Sequence, residues 1–148
     1  MSKGAPDLVA LNHDEFDAKH VGKTADGKQF FLTTPFEPAD ENNPGCEFVA
    51  LYLFDAQGKL LEARIDNLGP REQLDDKDHL ARVETRLAEL GKVTLGNIRV
   101  APFRVERFNT EFGFIPQAPE EEGDEWTVTV EPGNFMMFYP PWDGDYDT

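Results

Sequence analysis

Phe48-Val49-Ala50-Leu51-Tyr52-Leu53-Phe54 is an unbroken run of seven apolar residues, and its reading decides the fold. Both parities of the run are apolar and it is rich in strand formers, so it predicts a central strand buried on both faces. Working outward, Asp55-Ala56-Gln57-Gly58 turns the chain into a second segment, Lys59 to Asn67. There Leu61, Ala63 and Ile65 alternate with Glu62, Arg64 and Asp66, the pattern of a strand with one wet face. On the N-terminal side, Ala25-Asp26-Gly27 supplies the turn of a hairpin from His20 to Thr34. A loop punctuated by Pro35, Pro38, Asn42, Asn43, Pro44 and Gly45 follows, with Pro44-Gly45 fitting the centre of a type II turn.

The helical pattern lies beyond Gly69-Pro70. Leu80, Val83, Leu87 and Leu90 recur at spacings of three and four, which places them on one face of a helix spanning about 75–90. Asp75, Asp76 and Asp78 suit its N-terminus and Gly91 its C-terminal cap, while Asp78–Arg82 and Arg86–Glu89 are spaced to pair on the outer face. Further strands are expected over Ile98 to Phe108, Glu111 to Ile115, Trp126 to Glu131 and Phe135 to Tyr139, with Pro102 at an edge or bulge. Apolar on both faces, Phe135-Met136-Met137-Phe138-Tyr139 reads as a strand buried under the helix on one side and the tail on the other. Its alternative is a homodimer or partner interface. The sum is an α+β fold: one domain over residues 1–148, mainly an antiparallel sheet of about six to eight strands with one amphipathic helix packed on it. Pro140-Pro141 launches a tail, residues 140–148, that is both acidic and aromatic.

Composition sets the outer limits. A chain of 148 residues with 39% hydrophobic content and 17 aromatics can form a real core. Cys46 is the single cysteine, so no intrachain disulfide forms and a reducing compartment is favoured. Leu8 to Leu11 is too short for a signal-peptide core, and Phe135 to Tyr139 falls far below the roughly 20 residues that span a bilayer. A cytoplasmic protein is expected. The net charge of −15 sets it against membrane surfaces and against direct nucleic acid binding.

The usual catalytic constellations are missing. Serine occurs once, at Ser2, and cannot anchor a nucleophilic triad. Cys46 has Glu47 beside it, which raises rather than lowers a thiol pKa. Gly91 and Gly96 have the separation of phosphate-loop glycines, but Asn97-Ile98 stands where Lys and Ser/Thr belong. His13, His20 and His79 are scattered and lack cysteine partners at zinc spacing. Asp143, Asp145 and Asp147 begin a calcium-loop pattern that Thr148 cuts short, so at most weak calcium binding is implied. No catalytic residue, metal ligand or cofactor is nominated.

Charge distribution is the informative feature. Glu111 to Thr148 holds ten carboxylates and no Lys, Arg or His, together with eight of the aromatics. A surface of that kind suits a basic protein partner. The expected contact residues are Trp142 and Tyr146 as anchors, with Asp143, Asp145, Asp147, Glu120, Glu121 and Glu122 steering association; following two prolines, Trp142 also reads as an anchor that pins the tail to its own domain. The runner-up is a small-molecule-binding or enzymatic domain using a carboxylate in a pocket between helix and sheet, which a carboxylate of raised pKa in such a pocket would favour. Monomer and homodimer are both open.

Three stretches carry a family resemblance: His20-Val21-Gly22-Lys23-Thr24-Ala25-Asp26-Gly27-Lys28-Gln29-Phe30-Phe31, Ala50-Leu51-Tyr52-Leu53-Phe54-Asp55, and Pro140-Pro141-Trp142-Asp143-Gly144-Asp145-Tyr146-Asp147-Thr148. They resemble a family of small bacterial proteins, some labelled formate hydrogenlyase regulatory protein. The resemblance implies a regulatory role through protein contact and carries no catalytic residue. A DNA-binding repressor would need a basic stripe and two helices for a helix-turn-helix, and this sequence offers neither.

Overall fold

Residues 5–148 are described by a computed structural model. Its organising strand is β5 (Cys46–Phe54), from which the rest can be placed. On one side β5 pairs antiparallel with β3 (Gln29–Thr33) and the short β4 (Phe36–Glu37), and on the other with β6 (Leu60–Gly69). β2 (His20–Thr24) extends the sheet beyond β3, and β7 (Val93–Leu95) extends it beyond β2. The residues of β5 then divide by parity. Phe48, Ala50, Tyr52 and Phe54 enter one core, while Val49, Leu51 and Leu53 enter another on the opposite face.

The second of these cores is closed by α1 (Asp76–Glu89). Val83, Leu87 and Leu90 of the helix region pack with Phe30, Leu32, Val49, Leu51 and Leu53, as the spacing predicts. Asp75 caps the helix by accepting from the Lys77 N–H at 2.8 Å, and Gly91 ends it at φ +70°, a conformation that favours glycine. Leu80 is different: at 59% exposure it lies off the core.

The first core is closed by a second sheet. β9 (Phe103–Arg107), β10 (Thr110–Gln117), β11 (Thr127–Glu131), β12 (Met137–Phe138) and β13 (Tyr146–Asp147) form an antiparallel meander in the spatial order 13-12-11-10-9. It contributes Phe112, Phe114, Val128, Val130 and Phe138. A two-stranded ribbon of β1 (Val9–Leu11) and β8 (Ile98–Val100) adds Val9, Leu11, Ile98 and Val100. Gly113 sits at φ +144° in β10 opposite Arg104 of β9, and a Cβ there would lie 2.1 Å from the Phe103 carbonyl oxygen.

The fold is therefore mainly antiparallel β with one α-helix, and the expectation of a single sheet of six to eight strands is corrected. The described residues form thirteen strands in three sheets of two, six and five. Pro102 is where the expected strand Ile98 to Phe108 breaks, because β8 and β9 belong to different sheets. The run Phe135 to Tyr139 is corrected as well. Only Met137–Phe138 is strand, and Met136 and Phe138 fill the inter-sheet core rather than lying under the helix.

The wet face of β6 is also reassigned. A register shift opposite Leu53/Phe54 makes Leu60 the inward residue and leaves Leu61 53% exposed. Glu62, Arg64 and Asp66 turn to the helix side, where Arg64 and Asp66 pair with the helix and Glu62 pairs with Arg64 on its own strand. Asp66 accepts from Arg82 Nη1 at 2.9 Å and from Arg86 Nε and Nη2 at 2.7 and 2.8 Å, while Arg64 Nη1 reaches Glu89 at 2.9 Å. Arg86 also binds Glu89 as the spacing predicts, but Arg82 pairs with Asp66 instead of Asp78. Asp66 is nearly buried and two guanidiniums converge on it, so it outcompetes an exposed helix neighbour.

Candidate functional site: an acidic end of the five-stranded sheet

Register brings the acidic runs together. β10 and β11 pair from Gln117↔Thr127, so the loop carrying Glu120, Glu121, Glu122, Asp124 and Glu125 leaves one end of the sheet. β11 and β12 pair through Val128↔Phe138, and β12 and β13 through Phe138↔Tyr146, which sends the turn carrying Asp143 and Asp145 out of the same end. The two connections are two strand spacings apart, about 10 Å in the hydrogen-bonding direction. Asp147 lies one residue beyond Tyr146 on β13, and all these carboxylates are exposed. Among the described residues, none is in an ion pair. The arginines that are paired lie elsewhere, between β6 and α1, at Arg71–Glu47 and at Arg104–Glu111.

The rings at this end behave in two ways. Tyr146 packs its ring on Phe138 with centroids 5.5 Å apart, and its hydroxyl donates to Asp14. Burial first, and then the Asp14 carboxylate, push the Tyr146 hydroxyl pKa well above the ordinary phenol value. Trp142 packs partly against the inter-sheet core at φ +66°, a strained conformation for a bulky side chain. Two backbone bonds hold it: Ala10 N–H donates to the Trp142 carbonyl at 3.1 Å, and Trp142 N–H to the Tyr139 carbonyl at 3.0 Å. Asn12 Nδ2 donates to the Asp143 carbonyl at 3.0 Å and completes the clasp between the two termini. Trp142 and Tyr146, singled out in sequence as docking anchors, are thus engaged with their own domain, and the clasp presents the tail carboxylates outward.

Two half-buried rings escaped the sequence reading. Trp126 immediately precedes β11 and Tyr139 immediately follows β12, so both flank the acidic end alongside Trp142. Burial, and then the charges of Asp147, Asp145 and Asp143, raise the Tyr139 hydroxyl pKa. Pairing register is the signal that identifies Trp126 and Tyr139. It follows from tertiary structure, since strand pattern alone does not say which loops share an end.

Other expected sites take definite positions. Cys46 is half-buried with Sγ 3.0 Å from Asn67 Oδ1, and burial, followed by Glu37 and Glu47, pushes its thiol up, away from nucleophilic use. Among the described residues, no group of three or more His, Cys, Asp or Glu is placed to hold a metal ion. No helix of the described residues is long and apolar enough to cross a membrane. Between the start of α1 and the sheet lies a cleft holding Asp17, His20, Asp76 and His79. Comparison with protein-family models, with curated proteins and with solved structures finds no match to the chain.

Proposed function

We propose that the chain is a regulatory or inhibitory protein-binding module that receives a basic partner surface at the acidic end of its five-stranded sheet. One observation carries the reading: two acidic runs and three half-buried rings, Trp126, Tyr139 and Trp142, share that end, and none of its carboxylates is neutralised by an ion pair among the described residues. Partly covered aromatics with a charged surround are the anatomy of a protein interface, in which rings supply affinity and charges supply orientation and rate. Exposed pairs contribute only about 0.2–1 kcal/mol each. The energy of docking therefore falls to Trp126 and Tyr139, while Trp142 and Tyr146 act by holding the tail in place.

Removing residues 140–148 would also strip β13 and its clasp, so substitution is the cleaner test. Immobilised protein is used to capture partners from native lysate at low and high salt. The reading expects a basic protein retained by the wild type and lost with Trp126→Ala or with Glu120, Glu121 and Glu122 all changed to Gln. Equal retention by the variants, with no sensitivity to salt, overturns it.

A further inference from the structure

We infer that the cleft between the Asp14–Ala18 loop and the start of α1 is a binding site for a small organic cation with an apolar body, its N–H group directed at Asp17, Asp76 and His79 and its body against Phe16 and Leu80. This goes beyond the protein-binding reading and rests on different residues. Two adjoining cavities of about 350 and 470 Å³ share Asp17, Thr34, Asp76 and His79, a size that suits a small ligand.

Three features give the cleft its chemistry. His79 Nε2 is buried and has no hydrogen-bond partner, and an unsatisfied buried polar atom is uncommon enough to require an occupant or a cost. A ligand N–H would satisfy it as an acceptor. Phe16 and Leu80 are 81% and 59% exposed, so two large apolar side chains line the opening without covering each other. Charge selects the sign. Neither Asp17 nor Asp76 is in an ion pair among the described residues, while Arg71 in the second cavity is held by Glu47 at 3.0 Å and lies over the Phe36 ring. Lys19 is the remaining cation of the lining and is exposed. Asp75, Asp76 and Asp78 offset the positive end of the helix dipole, so the helix start does not recruit an anion. Burial, with Asp14 adding to it, raises the Asp17 carboxyl, a cost that an incoming cation would offset.

The test uses the full chain and two probes of similar shape and opposite charge, 2-phenylethylammonium and 3-phenylpropanoate, with the His79 imidazole resonances followed by NMR. The ammonium probe is expected to shift His79 saturably, to bind about tenfold more weakly to Asp17→Asn, and to bind unchanged to a Glu106→Gln control, an exposed carboxylate on β9 outside both sites. Equal binding of 3-phenylpropanoate overturns the cation preference while leaving a ligand cleft in place. Absence of any His79 shift with either probe overturns the site itself. Unchanged affinity in Asp17→Asn, or equal loss in Glu106→Gln, shows diffuse attraction to an acidic protein and also overturns it. None of these outcomes bears on the sheet-end interface, whose variants are separate.

Discussion

Replacing Asp66 with Ala tests how the helix is held to the sheet, because α1 has no fully buried residue and its apolar grip is partial. Three N–H groups converge on the Asp66 carboxylate, at 2.9 Å from Arg82 and at 2.7 and 2.8 Å from Arg86. Charge-assisted bonds at about 1.5–3 kcal/mol each would sum to roughly 5–9 kcal/mol, and that figure is too large. Arg82 is 46% exposed and regains water when released, so its pair counts as a surface one at about 0.5 kcal/mol. Arg86 is only 21% exposed, yet it keeps Glu89 through Nη1 at 2.9 Å. The loss is then about 2 kcal/mol, below the 3–5 of a fully buried pair. In urea unfolding this appears as a lower midpoint at unchanged slope, and in heating as a fall of roughly 4–8 °C.

The pH dependence separates this from simple loss of packing. Burial alone would raise the Asp66 carboxyl, but Arg86 and Arg82 outweigh it and hold the group below its ordinary value. A carboxylate lowered on folding stabilises above its unfolded pKa, about 3.9, and loses that contribution as pH falls through the folded value. The difference between wild type and Asp66→Ala should therefore be constant from neutral pH down to about 4 and shrink below it. A difference under about 0.5 kcal/mol at neutral pH, or one that shrinks as pH rises, refutes the reasoning.

Three further substitutions follow from single residues. Tyr52 is wholly buried with no partner for its hydroxyl, so Tyr52→Phe should be neutral or raise stability by up to about 1 kcal/mol in urea; a comparable loss would show that the hydroxyl is satisfied. Gly113→Ala should cost at least about 2 kcal/mol by the same assay, since the new Cβ meets the Phe103 carbonyl in a backbone conformation disfavoured for L-residues. Asp17→Asn should raise the thermal midpoint at pH 7. A carboxyl raised on folding lowers stability as pH climbs through its unfolded and folded values, and that loss is complete above both, so a midpoint unchanged or lowered at pH 7 contradicts the assignment.

How much of this was legible in sequence depends on the range of each signal. The central strand, the first hairpin and the helix face Val83, Leu87, Leu90 are local periodicities and read directly. The partition into three sheets is not local: β4, β12 and β13 have two residues each, too few to show alternation, and only pairing assigns them. Leu61 and Leu60 exchange roles because of one bulge, which a period-two pattern cannot register. The acidic character of the C-terminal quarter was plain from composition. That Glu120 and Asp145 leave the same sheet end, beside Trp126 and Tyr139, depends on the register of three strand pairs. Phe16 and Asp17 lie about sixty residues from His79 and share no motif with it, so their meeting in a cleft had no local signal at all.

The most direct test of the sheet-end interface is the association rate of the captured partner as a function of salt. It is measured for wild type, for the chain with Glu120, Glu121 and Glu122 changed to Gln, and for the chain with Asp143, Asp145 and Asp147 changed to Asn. If both runs face one partner from one end of the sheet, each triple variant should slow association and flatten its salt dependence to a similar degree, while Asp78→Asn with Glu84→Gln on the helix leaves both unchanged. Rates that respond to the helix pair as strongly as to the two acidic runs, or to neither run, would contradict the account.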